Sequence, residues 1–336
     1  MRNVYFVTNR NQEGLPAHFG KRFSRNGISD LRFGRAAEVD DEIRVTVADE
    51  NLRPDETGRG THAESRLGSL EIFRALRVRM LEEERDTLVF IHGYNVDFNE
   101  GLRQAARLGK ELATVNSGGG VRIALFSWPS DGSLLPWKAY ASDRRDAAAS
   151  GPALARAILK LTDYLQGIAR QHACHQRVHL MAHSMGNYVL RHALQAIITH
   201  TGGRVPRVFD QVFLMAADED DDAFEEAQKL RALPRIARRV NVYFNRQDVP
   251  LLISDATKGN PDRLGTDGAR APFQLPGKVT QIDCTDVVHG QVEHSYYVDT
   301  PAVVRDVVSV LDGYEPNHVP AREHRVDQNC YVIHGE

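Results

Sequence analysis

The stretch RVHLMAHSMGNYVLRHAL, from Arg177 to Leu194, holds a serine at an abrupt change of period. Up to His183 it is an apolar run, as a buried strand requires, and after Ser184 it is spaced as a helix. A strand that turns straight into a helix strains its central residue and brings the two flanking segments together. The residues two positions to either side must then be small. Here they are Ala182 and Gly186, so Ser184 is a candidate nucleophile, with alanine where the pattern has its first glycine. The plain alternative is a serine that merely ends a strand. His183 sits beside it, and at a strand end its ring is expected to point away from Ser184.

A serine hydroxyl is a weak nucleophile and needs a base, which in turn needs an orienting acid. On a strand-turn-helix scaffold the order along the chain is serine, acid, histidine. RRVNVYFN is followed at once by RQDVP, which puts Asp248 in a loop just past a strand. After KVTQIDC comes TDVVHGQVEHSYY, which offers His289 and His294. His294 is preferred because it lies nearer the closing helix and precedes the pair Tyr296 and Tyr297. Asp218, at the end of FLMAAD, is a rival acid. The run Asp218–Asp222 suits a helix N-terminus, where the dipole favours negative charge, better than a cation site. No H-E-x-x-H or paired-cysteine spacing occurs, so no metal and no cofactor are expected. Stabilising an oxyanion takes backbone N–H groups, one from Met185 and one from the loop His92-Gly93-Tyr94-Asn95 after the strand TLVFIHG.

These groups need a scaffold that gathers them. Apolar runs at TLVFI, VRIALFS, RVHLMAH, FDQVFLM, RRVNVYF and KVTQID alternate with helical spacings. The helices include Phe98, Leu102, Ala105, Leu108 and Leu112, the span Asp143–Gln166, a stretch near Asp222–Arg231, and Val303, Val304, Val307, Val308 and Leu311. Such alternation implies a mostly parallel sheet covered on both faces, with reactive groups at the carboxyl ends of its strands. VYFVT, DLRFG and EIRVTVA read as an antiparallel extension over residues 1–85 of the same single domain. The core spans 86–314. The polar tail 315–336 either adds an edge strand or covers a surface.

The composition excludes several roles. The chain has 336 residues and a net charge of -3, from 42 basic and 45 acidic residues, so it has no basic footprint for nucleic acid or a membrane surface. Its start has no apolar segment long enough for a signal peptide, and no run approaches the roughly 20 apolar residues of a membrane span. Three scattered cysteines make no disulfide framework. A cytoplasmic location is the expectation, and the oligomeric state is not legible.

Taken together, LVFIHGYNVDFNEGL, FSWPSDGSLLPWKAYASDRRDA, HLMAHSMGNYVL, LMAADEDDDAF, VYFNRQDVPLLIS and EHSYY resemble the α/β-hydrolase superfamily. Within it they resemble a bacterial esterase/lipase-like family long catalogued as a domain of unknown function. The resemblance runs from VYFVTNRN to about Tyr314. It implies an α/β-hydrolase fold, Ser184 as nucleophile, Asp248 as acid, His294 as base, and an oxyanion hole at Tyr94 and Met185. It also puts Gly93, Asn95, Trp128 and Tyr140 around the substrate, with Trp128-Pro129-Ser130 past a strand end. For Trp128, packing beneath the loop is the alternative. LPWKAYASD departs from the family by its length. The expected activity is cofactor-free hydrolysis of a small carboxylic ester through an acyl-enzyme. The alternatives are a thioesterase, lipase or peptidase on the same scaffold, or a binding module without catalysis.

Overall fold

The structure, a computed structural model, describes residues 4–14, 17–26, 30–39, 42–48, 67–115, 120–130, 136–168, 175–251, 262–290 and 294–335, the side chains of 136–139 excepted. The segment Asp49–Ser65 and residues 252–261 of the stretch Leu251–Phe273 lie outside these residues.

The chain opens with β1 (Val4–Thr8), the ribbon β2 (Arg10–Glu13) and β3 (His18–Phe23), then β4 (Arg32–Val39) and β5 (Glu42–Val47). Next come α1 (Gly68–Glu83), β6 (Thr87–Ile91), α2 (Phe98–Val115), β7 (Arg122–Ser127) and α3 (Pro136–Gln166). They are followed by β8 (Val178–His183), α4 (Gly186–His200), β9 (Phe209–Met215), α5 (Leu233–Ile236) and β10 (Ala237–Phe244). The chain ends with α6 (Leu264–Asp267), β11 (Val279–Asp283), α7 (Tyr296–Asp299), α8 (Pro301–Leu311), β12 (Arg322–Arg325) and β13 (Cys330–Ile333).

An 11-stranded sheet runs in the order β12-β13-β11-β10-β9-β8-β6-β7-β1-β4-β5. Its centre, from β11 to β7, is parallel, and β1 joins β7 in parallel before β4 and β5 turn antiparallel. The fold is that of an α/β hydrolase with the expected N-terminal antiparallel extension. Central strands such as β8 and β9 are almost wholly buried, as two-sided coverage demands. The edge strand β5 alternates between exposed and half-buried residues. One face of the sheet packs against α1, α3 and α4 through Phe73, Leu154 and Leu190. The other packs against α2 and α8 through Leu102, Leu108, Val303 and Val307.

Two elements differ from the sequence expectation, and a third takes one of the two courses the sequence left open. Residues 68–83, taken with the extension, form helix α1, of which only Gly68, Ser69, Ile72, Phe73 and Met80 are buried. Its many arginines and glutamates hide the apolar stripe. The stretch 222–231 is a chain of turns rather than a helix. There Lys229 folds back onto Asp220 and Asp222, and Glu225 N–H reaches only the Asp222 carbonyl. The tail does add strands: β13 joins β11 in parallel and β12 closes the hairpin.

A buried ion pair docks this hairpin to α8. Arg322 Nε and Nη2 both donate to the Asp306 carboxylate at 2.6 Å, and Tyr243 Oη of β10 donates to the same group. The Arg322 and Asp306 side chains are nearly inaccessible, at 1% and 2%. Removing one partner strands the other charge in a dry site, which costs about 3–5 kcal/mol. Asp306→Ala should lower the unfolding free energy by that amount in urea titration, whereas removal of the exposed Arg103–Glu100 pair should cost under about 1 kcal/mol.

Candidate active site

The sheet places its loops before any side chain is considered. Strand order reverses between β6 and β8, so the loops after these strands leave in opposite directions and open a crevice at their carboxyl ends. Gly93 follows β6 and Ser184 follows β8.

Ser184 has φ of 52°, in the left-handed region that a non-glycine residue rarely occupies. Hydrogen bonds hold the strain. Ser184 N–H donates to Met215 O at the end of β9 (2.9 Å), while its carbonyl accepts from Asn187 N (3.0 Å) and Asp218 N (3.3 Å). The fully buried Asn187 adds its amide, which donates to the carbonyls of Ala182 (3.1 Å) and Ser184 (3.0 Å). Sequence reasoning passed over Asn187, because an asparagine in the first turn of a helix reads as ordinary. Gly186 is demanded sterically. A Cβ there would lie 2.6 Å from Ile91 O and 2.7 Å from His92 O, both main-chain atoms. Gly93 is pressed as closely to the serine, since its Cβ would meet Ser184 Cβ at 2.9 Å.

Asp248 lies in the loop after β10 and is 1% exposed. Its Oδ1 accepts the Leu251 N–H at 3.2 Å. His294 Nδ1 approaches both carboxylate oxygens, at 2.8 and 3.0 Å. An imidazole so paired carries its proton on Nδ1 and leaves Nε2 as the basic atom. Tyr296 and Tyr297 anchor the segment that carries His294. Tyr296 Oη donates to Tyr243 O and accepts from Ala216 N, tying the segment to the ends of β10 and β9. His289 is exposed. The Asp218 carboxylate is engaged elsewhere: Tyr140 Oη donates to it, and the guanidiniums of Arg263 and Arg144 lie 3.5 and 3.8 Å away. His294 is therefore paired with Asp248, not with Asp218.

The loop after β6 is braced from below. His92 is wholly buried. Trp128 N–H donates to His92 Nε2 (3.2 Å), so Nε2 is unprotonated, and Nδ1–H donates to Gly93 O (2.9 Å). The Trp128 ring stacks on His92 with planes 10° apart, and its Nε1–H donates to His92 O. Trp128 is fully inaccessible, so its packing beneath the loop is what the structure realises. Asn95, at φ 58°, donates its N–H to Asp143 Oδ2 (3.2 Å), and Ser130 Oγ donates to the same oxygen. Tyr94 is half-buried with its ring 6.0 Å from that of Tyr140, and Met185 is buried. Asp143 and His92 gave no sequence signal beyond a polar residue in a helix and a strand end.

Residues 73–311 match the family described as "Alpha/beta hydrolase of unknown function (DUF900)". The chain belongs to this family. The hydrolase is also 21% identical over 308 aligned positions to an uncharacterized protein, alr1448, of Nostoc sp. (strain PCC 7120 / SAG 25.82 / UTEX 2576), covering 71% of this chain and 77% of that one. Among solved structures it is similar to a "putative cell surface hydrolase" of Lactobacillus plantarum WCFS1, at 11% identity and a TM-score of 0.34, over 70% of this chain and 95% of the other. So slight a likeness carries no argument. Among the described residues no group of His, Cys, Asp and Glu is arranged to hold a metal ion, and no helix is long and apolar enough to cross a membrane.

Burial, and then the Arg10 charge, lower the pKa of His92 from 6.5 to about 3. The unfolded chain takes up a proton below pH 6.5 that the fold refuses, so this contribution is complete above 6.5 and declines as the pH falls. The slope is about 1.4 kcal/mol per pH unit. Compared with His92→Gln, the wild-type hydrolase should lose about 2 kcal/mol more stability between pH 8 and 5 by urea unfolding. Parallel losses in the two proteins would refute the assignment.

Proposed function

We propose that this hydrolase cleaves carboxylic esters through an acyl-enzyme on Ser184. The observation that carries the reading is the His294–Asp248 pair, with Nδ1 2.8 Å from the carboxylate, on the segment that packs against the strained turn bearing Ser184. The serine lies between strand and helix with φ of 52° and is pressed against Gly93. All three residues stand in the chain order that the strand-turn-helix scaffold uses.

His294 Nε2 takes the hydroxyl proton as Ser184 Oγ attacks the ester carbonyl. The oxyanion forms against backbone N–H groups of Met185 and the loop at Tyr94. His294 then protonates the departing alcohol, and a water deprotonated by the same nitrogen releases the acid. Asp248 keeps the tautomer that makes this possible and stabilises the imidazolium without taking its proton. The rings of Tyr94 and Tyr140, 6.0 Å apart, are assigned to the apolar part of a small ester. Gly93 and Asn95 shape the rim. The buried, unbridged Cys284 and Cys330 suit a reducing compartment such as the cytoplasm.

Ser184→Ala should lower kcat for p-nitrophenyl acetate and butyrate by about 10³-fold or more, and Asp248→Asn by a similar order. A fluorophosphonate probe should label the wild type at Ser184 and leave the alanine variant unlabelled. Hydrolysis undiminished in Ser184→Ala would overturn the nucleophile. Thioesters or amides cleaved in preference to oxygen esters would overturn the substrate class.

A further inference from the structure

His183 immediately precedes the nucleophile, and no step of ester hydrolysis uses it. Its residue is only 6% exposed. The ring does not lie idle against apolar neighbours. Its Nε2 is 3.0 Å from the main-chain oxygen of His294, 111 positions away. A carbonyl can only accept, so His183 Nε2 carries the hydrogen. On the other side, a Cβ at Gly93 would come within 3.1 Å of His183 Nδ1, so that nitrogen faces the loop after β6. The ring is sandwiched at 4.8 Å from the His294 ring and 4.7 Å from that of Tyr297.

We propose that His183 is a positioning residue that holds the His294 main chain at a fixed distance from Ser184, through its Nε2–H to the His294 carbonyl. The inference rests on the Ser184–Asp248–His294 reading. Asp248 fixes the imidazole of His294 from its Nδ1 side and Tyr296 anchors the chain two residues on, which still leaves the peptide at the His294 carbonyl free to turn. A second hold on the carbonyl removes that freedom. Because His183 is covalently joined to Ser184, the same hydrogen bond ties the nucleophile's residue to the base's residue. Burial, and then the neighbouring His294, hold the His183 pKa well below its ordinary value. The ring therefore stays a neutral, single-tautomer donor and adds no cation beside an imidazole that must itself become charged.

The donor, not the bulk of the ring, is what the proposal requires, and amide substitutions separate the two. In His183→Gln the side-chain amide reaches about as far as imidazole Nε2 and keeps a donor there. In His183→Asn the same amide is one methylene short. With p-nitrophenyl butyrate, His183→Asn should lower kcat about 10- to 100-fold with KM within about twofold, and His183→Gln should recover to within about threefold of wild type, as expected for misplacement of a reacting group. Equal loss in both variants, or none in His183→Asn, overturns the proposal. Should His183→Asn fail to fold, His183→Met takes its place, with similar reach and no donor.

A measurement independent of turnover is the downfield proton signal of His294 Nδ1–H, identified by its loss in Asp248→Asn. It should persist in His183→Gln and shift or broaden in His183→Asn, or in His183→Met where that takes its place. An unchanged signal there also overturns the proposal. If Ser184→Ala retains wild-type hydrolysis, the functional reading falls separately, and the proton signal still decides whether His183 sets the His294–Asp248 pair.

Discussion

At the switch point of the sheet, the chain after β6 and the turn after β8 leave no room for one extra carbon. A Cβ at Gly186 would fall within 2.7 Å of two main-chain oxygens, and one at Gly93 within 2.9 Å of Ser184 Cβ. Main-chain oxygens, and a Cβ bonded directly to its own main chain, cannot move aside as the far end of a flexible side chain can, so both glycines are fixed by geometry. The same closeness forces Ser184 to φ of 52°, a conformation that costs of order 1–3 kcal/mol for a residue with a side chain. That strain persists because Met215 of β9, Asp218 just beyond it and Asn187 of α4 each hydrogen-bond Ser184. What the strain achieves is projection: the serine is lifted off the strand and set against the loop that faces it. Everything else in the candidate site is arranged around a serine held in this way.

The supports are polar groups placed where water is absent, and each is fully specified. His92 accepts from one neighbour and donates to another, which fixes its tautomer. His183 can only donate from Nε2 to a carbonyl. Burial drives both pKa values down, so near neutral pH they behave as rigid hydrogen-bonding spacers rather than as acids or bases. This divides labour among the histidines at the crevice. Two are kept neutral by desolvation and hold the main chain. The third, His294, is 19% exposed in its side chain and faces the Asp248 carboxylate. A buried charge without such a partner would be costly, and among the described residues the carboxylate that meets His294 is that of Asp248.

How much of this was legible in the sequence follows from the physics of each element. Central strands are buried on both faces, so β6 to β11 appear as uninterrupted apolar runs. α2 and α8 each press one stripe onto the sheet, and the period shows. The serine turn was readable because sterics demand small residues at fixed positions around it. α1 was not, because it buries few residues and its exposed faces are crowded with Arg and Glu. The turns over 222–231 looked helical because acidic residues also favour helix N-termini, but here ion pairs to Lys229 and Arg263 claim them. The roles of Asn187, Asp143 and His183 were illegible for another reason. Each bonds a main-chain group, Asn187 the nearby carbonyls of Ala182 and Ser184, Asp143 the distant Asn95 N–H and His183 the distant His294 carbonyl, and a main-chain partner leaves no trace in residue identity.

Asp218 shows why the choice between rival acids needed three dimensions. It leaves β9 one strand from Asp248 and lies as close to the serine turn, its N–H bonded to Ser184 O. Its carboxylate, however, meets two guanidiniums and a phenol. Such a carboxylate is already satisfied and has little to gain from an imidazolium. Among the described residues Asp248 meets the Leu251 N–H and His294 and no guanidinium, so its negative charge faces the histidine. Of two buried aspartates at neighbouring strand ends, one is neutralised by arginine and bonds the Tyr140 phenol. The other is paired with His294, and the pattern of its neighbours, rather than its place in the chain, separates the two.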